Sequence, residues 1–196
     1  MAIFVTSDLH FNHDREFIWK VRGFNSVQEM NETIVKNWNS VVGADDDVYV
    51  LGDLCLGGGS CPILLENKHL IESLNGKLHI IRGNHDTNPR VRIYELCENV
   101  VDEVKWADML NYKGYHFYLS HFPTLTSNLE KESLKQCTCN LFGHTHQTDN
   151  FHLDMPFMYH VGVDSHKCYP VKLDDIIEEM KAKVKECLAE LGEEET

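Results

Sequence analysis

Short apolar runs alternate with amphipathic segments through the first half of the chain. Three such runs predict buried strands, at residues 2–6, 46–53 and 78–81. Between the first two, apolar residues recur at helical spacing after Ser26 and Glu29, which have the spacing of a capping box. A second helix is predicted over residues 62–74. The order βαβαβ predicts an α/β sheet with right-handed crossovers.

The second half of the chain predicts a second sheet and a final helix. Residues 104–123 have the pattern of two strands around a turn at Lys113 and Gly114, and CTCNLFGHTH and FMYHVGVD predict further strands. Asp174 is expected to cap the last helix. The apolar stripe of that helix consists of Ile176, Ile177, Met180, Val184, Cys187, Leu188 and Leu191. We expect one domain over residues 1–190, followed by an acidic tail, residues 191–196, that frays.

The net charge of the chain disfavours some classes of binding partner. The chain has 196 residues with 18 basic and 31 acidic side chains, and its net charge is −13. That charge repels nucleic-acid backbones and anionic lipid surfaces unless bound divalent cations reverse its sign locally. Nucleic acid and membranes are therefore disfavoured as partners, and oligomeric state is left open.

The seven cysteines are scattered, and we interpret them as reduced core thiols. Cys137 and Cys139 are expected on one face of a strand, with a zinc pair as the minor alternative. No apolar run approaches the ~20 residues of a membrane span, and the N-terminus lacks a basic region and a cleavage site. A cytoplasmic location is expected.

Polar clusters follow the predicted strands. They are Asp8 and His10 in TSDLH, Asp53 in LGDL, Asn84, His85 and Asp86 in GNHD, His121 in LSHFP, and His144 and His146 in FGHTH. Carboxylate, imidazole and amide oxygen suit Mn, Fe, Co, Ni or Zn. Without His85 and Asp86, seven ligands remain, which suits two ions that share one carboxylate. Gly52, Gly83 and Gly143 each precede a cluster, where a small residue allows close approach to an ion.

These blocks resemble the pattern of the calcineurin-like metallophosphoesterases: D-x-H, G-D, G-N-H-D, a lone H and G-H-x-H, in this order. The resemblance runs from Asp8 to His146. The endings HVGVD and YPVKLDDI are similar to those of small bacterial and phage members. The resemblance implies an α/β fold in which two mixed sheets pack face to face with helices outside.

By position, the resemblance also implies roles for these residues. One ion is expected at Asp8, His10, Asp53 and His146, and the second at Asp53, Asn84, His121 and His144. Asp53 then bridges the two ions, for which manganese is favoured and Fe, Zn, Ni or Co are alternatives. His85 resembles the general acid of the family, and Asp86 beside it is expected to orient and charge the imidazole.

The sequence departs from the family pattern at Leu56, where many members have an aspartate. Residues 57–59, all glycine, are either a flexible wall of the cleft or a plain surface loop. His13, Asp14 and Arg15 either contact substrate phosphate or begin a solvated helix. Arg82 is either a phosphate contact or a brace for the ligand beside it. His160 and Asp164 are candidates to hydrogen-bond a metal-bound histidine.

The function expected from these residues is hydrolysis of a phosphate ester. Two ions ~3.5 to 4 Å apart can share a hydroxide for in-line attack, and an imidazole can protonate the leaving group. The substrate is expected to be a small phosphate ester such as a nucleotide, with a diester favoured over a monoester. The alternatives are an inactive metal-binding scaffold that binds a protein, and a nuclease, which the acidic charge disfavours.

Overall fold

The computed structural model describes residues 1–56, 61–126 and 133–194, and of Cys61 and residues 191–194 only the backbone. Nine strands are described: β1 (Ile3–Thr6), β2 (Asp47–Val50), β3 (Lys77–Ile81), β4 (Val101–Lys105), β5 (Asp108–Tyr112), β6 (Tyr115–Leu119), β7 (Thr138–Phe142), β8 (Met158–His160) and β9 (Val171–Lys172). The α-helices are α1 (Glu16–Trp19), α2 (Val27–Val41), α3 (Cys61–Glu72), α4 (Asn88–Glu95) and α5 (Leu173–Glu194), and a 3₁₀ turn covers His152–Asp154.

The first sheet has the order β4-β3-β2-β1-β9. Strands β1 to β4 are parallel, and β9 pairs antiparallel with β1. The three strands predicted in the first half are thereby confirmed, with helices between them. Helix α4 and strand β4 were not predicted, and Val104 and Lys105 belong to β4 rather than to the hairpin that follows. The sheet therefore presents the carboxyl ends of four parallel strands at one edge.

The second sheet has the order β5-β6-β7-β8 and packs on the first. Strands β5 and β6 form the predicted hairpin, with Lys113 and Gly114 at positive φ in its turn, while β6, β7 and β8 run parallel. Val5, Leu51 and Ile81 of the first sheet share one buried cluster with Phe117 and Leu141 of the second. The prediction of two mixed sheets packed face to face and flanked by helices is confirmed.

Helix α2 covers the outer face of the first sheet. Ser26 is its N-cap, and its hydroxyl accepts a hydrogen bond from the Glu29 amide at 3.1 Å. The other half of the predicted capping box is not formed, because the Glu29 carboxylate accepts from the Asn25 amide, 2.8 Å away. Met30 and Trp38 are fully buried against the sheet. The amphipathic pattern of this segment is therefore explained by packing.

Helix α5 begins at Leu173, two residues earlier than expected from a cap at Asp174. Asp174 lies in its first turn and binds Lys113 and Tyr112 on the second sheet, so the prediction that it caps the helix was wrong. Ile176, Ile177 and Met180 are buried, whereas Leu188 is 49% exposed, so the apolar stripe is core only over the first turns. The backbone is helical to Glu194, and fraying of the tail stays a prediction.

The prediction of core thiols holds for most of the cysteines that can be compared. Cys55, Cys97, Cys139 and Cys168 are free and buried, whereas Cys187 is free but only half-buried, so it does not belong to the core. Cys137 and Cys139 are both buried with Thr138 half-buried between them, as expected for two residues on one face of a strand. The glycines at 57–59 lie outside the described residues. Within the described ranges, no helix is both long enough and apolar enough to cross a membrane.

Candidate metal centre

The predicted polar clusters meet at the carboxyl ends of the parallel strands of both sheets. Asp8 and His10 follow β1, Asp53 follows β2, and Asn84 follows β3 in the first sheet. From the second sheet, His121 follows β6, and His144 and His146 follow β7. Crossover connections place consecutive parallel strand ends on the same edge, which is where ligands bind in α/β folds. The structure therefore brings all seven predicted ligands into one region.

A first group of donor atoms consists of Asp8, His10 and His146. The Nε2 atoms of the two imidazoles lie 3.1 Å apart, and Asp8 Oδ1 lies 3.9 Å from each of them. The other oxygen of Asp8 accepts hydrogen bonds from the Ser7 hydroxyl and the His144 amide. Among the described residues, buried Oδ1 has no hydrogen-bond partner, so it is aimed at the group without being satisfied.

A second group surrounds Asn84. Its Oδ1 lies 2.9 Å from His121 Nε2 and 2.9 Å from His144 Nδ1, and Asp53 Oδ2 lies 3.5 Å from His121 Nε2. The same oxygen of Asp53 is 3.9 Å from His10 Nε2 in the first group. Asp53 therefore lies between the two groups. Asp8 is close as well, because it offers a donor atom within 4.8 Å of those of Asp53 and His121.

The hydrogen bonds at the far side of two imidazoles set where their lone pairs point. Nδ1 of His121 donates to the Leu51 carbonyl at 2.8 Å, and Nδ1 of His146 donates to Asp164 Oδ2 at 2.9 Å. In His121 the lone pair of Nε2 then faces another acceptor, Asn84 Oδ1, while Nε2 of His146 faces Nε2 of His10. Acceptors that face each other across about 3 Å repel unless a cation lies between them.

The electrostatics of the groups also suit cations. Burial raises the pKa of Asp53 to about 7, His121 opposes that rise, and the nearby carboxylates of Asp86 and Asp8 add to it. Burial, and then the charge of Arg22, lower the pKa of His10 well below its usual value, so its imidazole is neutral and able to act as a ligand. Nitrogen and oxygen donors of this kind fit two borderline divalent ions.

The backbone is strained where the donors lie. Asp8, His10, Asp53, His144 and His146 all have positive φ, between 49° and 69°. Asp and His tolerate this left-handed region better than most residues, but each still raises the energy of the fold. Five of the seven donors therefore have a backbone conformation that the surrounding packing has to maintain.

The glycines before the clusters allow close approach, as predicted. A Cβ on Gly52, whose φ is +98°, would collide with the His121 ring. A Cβ on Gly83 would collide with the Asp53 carboxylate, and one on Gly143 with Asp8. Each glycine therefore allows the backbone at the end of one strand to contact a donor side chain that follows a different strand.

Comparison with known proteins gives a consistent answer. Residues 1–163 match a protein family that is described as "Calcineurin-like phosphoesterase superfamily domain". The chain belongs to this superfamily. The uncharacterized protein MJ1445 of Methanocaldococcus jannaschii is 35% identical over 183 residues, 89% of each chain. The Gene 66 protein of Mycobacterium phage D29 is 27% identical over 209 residues, 95% of this chain and 98% of that protein.

One solved structure has the same fold as this phosphoesterase domain. It is the Aquifex aeolicus protein of unknown function AQ665, which superposes with a TM-score of 0.66 at 21% identity and covers 90% of this chain and 98% of its own. At that identity the likeness concerns the fold alone. Calcineurin-like phosphoesterases use divalent metals, and the two donor groups of this member provide residues that could bind them.

In this phosphoesterase, Arg22 supports the first donor group, and sequence reasoning missed it. Its Nε and Nη2 donate to the two oxygens of Asp164 at 2.8 and 2.9 Å, and Nη2 and Nη1 also donate to the carbonyls of Asp8 and Leu9. Burial would raise the pKa of Asp164, but the hydrogen bonds from His146 and Arg22 outweigh it and hold that pKa far below its usual value. Because Asp164 is 142 positions away, no local pattern pointed to Arg22.

Asp164 bears out the expectation that a residue near the last strands would hydrogen-bond a histidine of the centre. His160 does not take that role. Its Nδ1 lies 2.9 Å from the Ser165 hydroxyl, and its buried Nε2 has no partner in the described part of the chain. Burial, with a smaller contribution from His166, lowers the pKa of His160 to about 3.

His85 lies beside the donor groups but outside them. Its side chain is 43% exposed, its Nε2 is 4.0 Å from Asp53 Oδ2, and its ring centroid is 5.4 Å from that of His10. Asp86 was expected to orient this imidazole, and the structure gives it different partners. Its carboxylate accepts hydrogen bonds from the Asp53 and Gly83 amides and from the Tyr94 hydroxyl. Asp86 therefore stabilises the loop that carries His85 and makes no hydrogen bond to the His85 ring among the contacts described.

The predicted substrate contacts separate into different places. His13 is buried and lines the same cavity as the donors, with its ring 6.2 Å from that of His85. Arg15 is exposed and lies with Asp14 at a neighbouring depression. Arg82 donates to the Asp86 carbonyl and to Asn88, and its guanidinium stacks 4.1 Å above the Trp106 ring. Of its two interpretations, these contacts favour the brace.

The donors open into a cavity of about 390 Å³. Its polar side is formed by donors of both groups together with His13, His85 and Asp164. Its other side is apolar and consists of Phe17, Ile18 and Val21, which the sequence did not single out. The cavity is in the size range of small-molecule sites and is larger than a phosphate alone needs.

Proposed function

We propose that the protein is a dinuclear metal-dependent phosphoesterase that hydrolyses phosphodiesters in preference to monoesters. The observation that carries the proposal is the convergence of two donor groups on Asp53 in a cavity that His85 also lines. A fold of this superfamily with neither donors nor cavity would favour a scaffold. Here all seven proposed donor residues lie together at the strand ends, which supports the phosphoesterase.

The proposed ligands follow the two groups. Asp8, His10, Asp53 and His146 hold one ion, and Asp53, Asn84, His121 and His144 hold the other. When bound, two such ions supply Lewis-acid activation of water and stabilise the negative charge that develops on the phosphoryl oxygens. Manganese suits these mixed oxygen and nitrogen donors, and Fe, Zn, Ni and Co are the alternatives.

His85 is proposed to protonate the leaving oxygen. Its imidazole faces the cavity and belongs to neither of the two donor groups. It can therefore reach an ester that is bound beside Asp53. The backbone amide of His85 donates to Asp53 Oδ1 at 2.9 Å, which keeps the ring next to the centre. Protonation of a poor leaving group by a positioned imidazole contributes a factor of about 10² to 10⁴.

The lining of the cavity supports a diester. Among the described residues that line it, none is lysine or arginine. A monoester dianion has an additional charge that a lysine or arginine commonly neutralises, whereas a diester has a single charge and a second organic group. The apolar side of the cavity suits that second group.

The test compares two p-nitrophenyl esters on one protein. Metal-stripped protein is reloaded with Mn²⁺, its metal content is measured, and hydrolysis of bis-p-nitrophenyl phosphate and of p-nitrophenyl phosphate is followed. We expect two ions per chain and metal-dependent turnover that favours the diester. Asp53→Asn should lose both binding and turnover, while His116→Ala, at an exposed position on β6, should keep them.

Two results would count against the proposal. A preference for the monoester would keep the phosphoesterase and overturn the diester assignment. Two bound ions with no turnover of either ester by any of the candidate metals would favour the scaffold instead.

A further inference from the structure

Two large apolar side chains on the apolar side of the cavity are mostly exposed to solvent. Phe17 is 67% exposed and Val21 is 81% exposed, while Ile18 between them is buried. All three come from α1 and the turn after it, and all three line the cavity that contains the donor groups. Large apolar side chains that remain exposed inside a concave polar site are typical of ligand contacts. We refer to Phe17, Ile18 and Val21 as the apolar wall.

The apolar wall is held at a fixed place relative to the donors. Arg22, directly after Val21, donates hydrogen bonds to the carbonyls of Asp8 and Leu9 and to the Asp164 carboxylate. At the other end, the amide of Ile18 donates to the Arg15 carbonyl. The wall is therefore anchored to the same loop that carries Asp8 and His10, and a ligand gains from contacts that are already in place.

A continuous path of rings leads from the proposed proton donor to the wall. The centroids of the His85 and His13 rings are 6.2 Å apart, and those of His13 and Phe17 are 5.5 Å apart with the rings edge to face. An organic group bonded to a phosphorus beside His85 can thus pass His13 and reach Phe17. The path matches an extended flat group better than a short alkyl group.

We propose that the apolar wall is a subsite for an aromatic or apolar organic group of the phosphodiester, with Phe17 as its main contact. This inference rests on the proposed function, because it takes the phosphate to lie at the donor groups. It assigns the substrate class as diesters that carry at least one such group, as nucleotide esters do. Stacking and apolar contact with Phe17 supply the preference, and the donor groups supply the binding of the phosphate.

The test uses ligands that have no ester bond, so binding is measured apart from catalysis. Diphenylphosphinate and dimethylphosphinate are monoanions with two organic groups, and each is titrated into Mn²⁺-loaded protein by calorimetry. We expect diphenylphosphinate to bind roughly tenfold more tightly than dimethylphosphinate, as a single aromatic contact allows. Phe17→Ala should remove most of that ratio and leave the affinity for dimethylphosphinate within about twofold.

Two further variants make the result specific. Phe17→Tyr should restore the preference, because it keeps the ring. Leu96→Ala changes a residue of similar exposure, 66%, that lies outside the cavity, and it should leave both affinities unchanged. In turnover of bis-p-nitrophenyl phosphate, Phe17→Ala should raise KM and leave kcat nearly unaltered.

The subsite and the proposed function fail in different ways. If wild-type protein hydrolyses the diester but Phe17→Ala leaves the ratio of the two affinities unchanged, the subsite is wrong and the function stands. If wild-type protein binds diphenylphosphinate preferentially through Phe17 but hydrolyses no ester, the subsite stands and the function is wrong. Equal affinities of wild-type protein for the two phosphinates overturn the subsite directly.

Discussion

Replacing Asp164 by asparagine should weaken the binding of one metal ion, the ion at the first donor group, and leave the binding of the other unchanged. Asp164 connects Arg22 with His146, and its Oδ2 accepts the hydrogen bond from His146 Nδ1 at 2.9 Å. An asparagine keeps the size of the side chain but loses the charge that orients and polarises the imidazole. Removing such a partner of a metal-bound histidine lowers metal affinity by about 10- to 100-fold. The second group has no contact with Asp164 among those described, so its ion should stay.

The same substitution should also destabilise the fold. The Arg22 side chain is 3% exposed and that of Asp164 is 12% exposed, so the change leaves a buried guanidinium without its full carboxylate partner. Breaking a buried pair of this kind costs about 3 to 5 kcal/mol, and the retained amide oxygen should keep Asp164→Asn at or below the lower end. A loss of metal affinity therefore has to be separated from a general loss of structure.

The assay is calorimetric titration of metal-stripped protein with Mn²⁺, together with metal content after gel filtration and urea unfolding of the metal-free form. Ile34→Ala is the matched control, since Ile34 is buried in α2 away from both donor groups and its truncation should cost about 2 to 5 kcal/mol. We expect the control to bind two ions normally and Asp164→Asn to bind one normally and one weakly. Two ions at wild-type affinity in folded Asp164→Asn would refute the reasoning.

Three further outcomes are expected. His85→Ala should lose a factor of about 10² to 10⁴ with an alkyl leaving group and much less with p-nitrophenolate, at unchanged metal content, and an equal loss with both would contradict its role as proton donor. Gly52→Ala should lower the melting temperature and metal content, because its methyl group meets the His121 ring at a φ of +98°, and a variant that binds two ions with wild-type affinity would show that the strand ends can separate. Because the pKa of His160 falls to about 3 on folding, the unfolded chain binds more protons below the ordinary pKa near 6.5, so the stability that neutral His160 contributes is present above that pH and decreases as the pH falls toward 3. In urea unfolding of metal-free protein, His160→Gln should therefore lose less stability than wild type between pH 7 and pH 5, by about 1 to 2 kcal/mol, and parallel losses would exclude this source.

Local pattern was sufficient for most strands and for the donors. Strands β1 and β3 are buried on both faces over most of their length, and such strands appear as continuous apolar runs. Strand β2 alternates between buried and half-buried residues, and its valines still mark it as a strand. Strand β4 lies at the edge of its sheet and is mostly half-buried, so its sequence, VDEVK, has no such run and escaped prediction. The capping interaction at Ser26 was also local and predictable.

The roles of supporting residues were not local. Asp86 follows His85 in sequence and was expected to act on its ring, but in the fold its carboxylate turns to the Asp53 amide and the Tyr94 hydroxyl. Arg22 was overlooked because its partner, Asp164, comes from the other end of the chain. Adjacency in sequence was thus a poor guide to the contacts of these side chains. The contacts are set by the path of the backbone through the two sheets.

The sequence by itself determined which chemical groups stand at the strand ends, because short apolar runs, glycines and polar clusters act over a few residues. Only the tertiary structure decided that Asp53 lies between the two donor groups, that Arg22 braces one of them, and that Phe17 remains exposed beside them. The physical reason is that strand order and the packing of one sheet on the other join residues more than a hundred positions apart. No local periodicity encodes those distances.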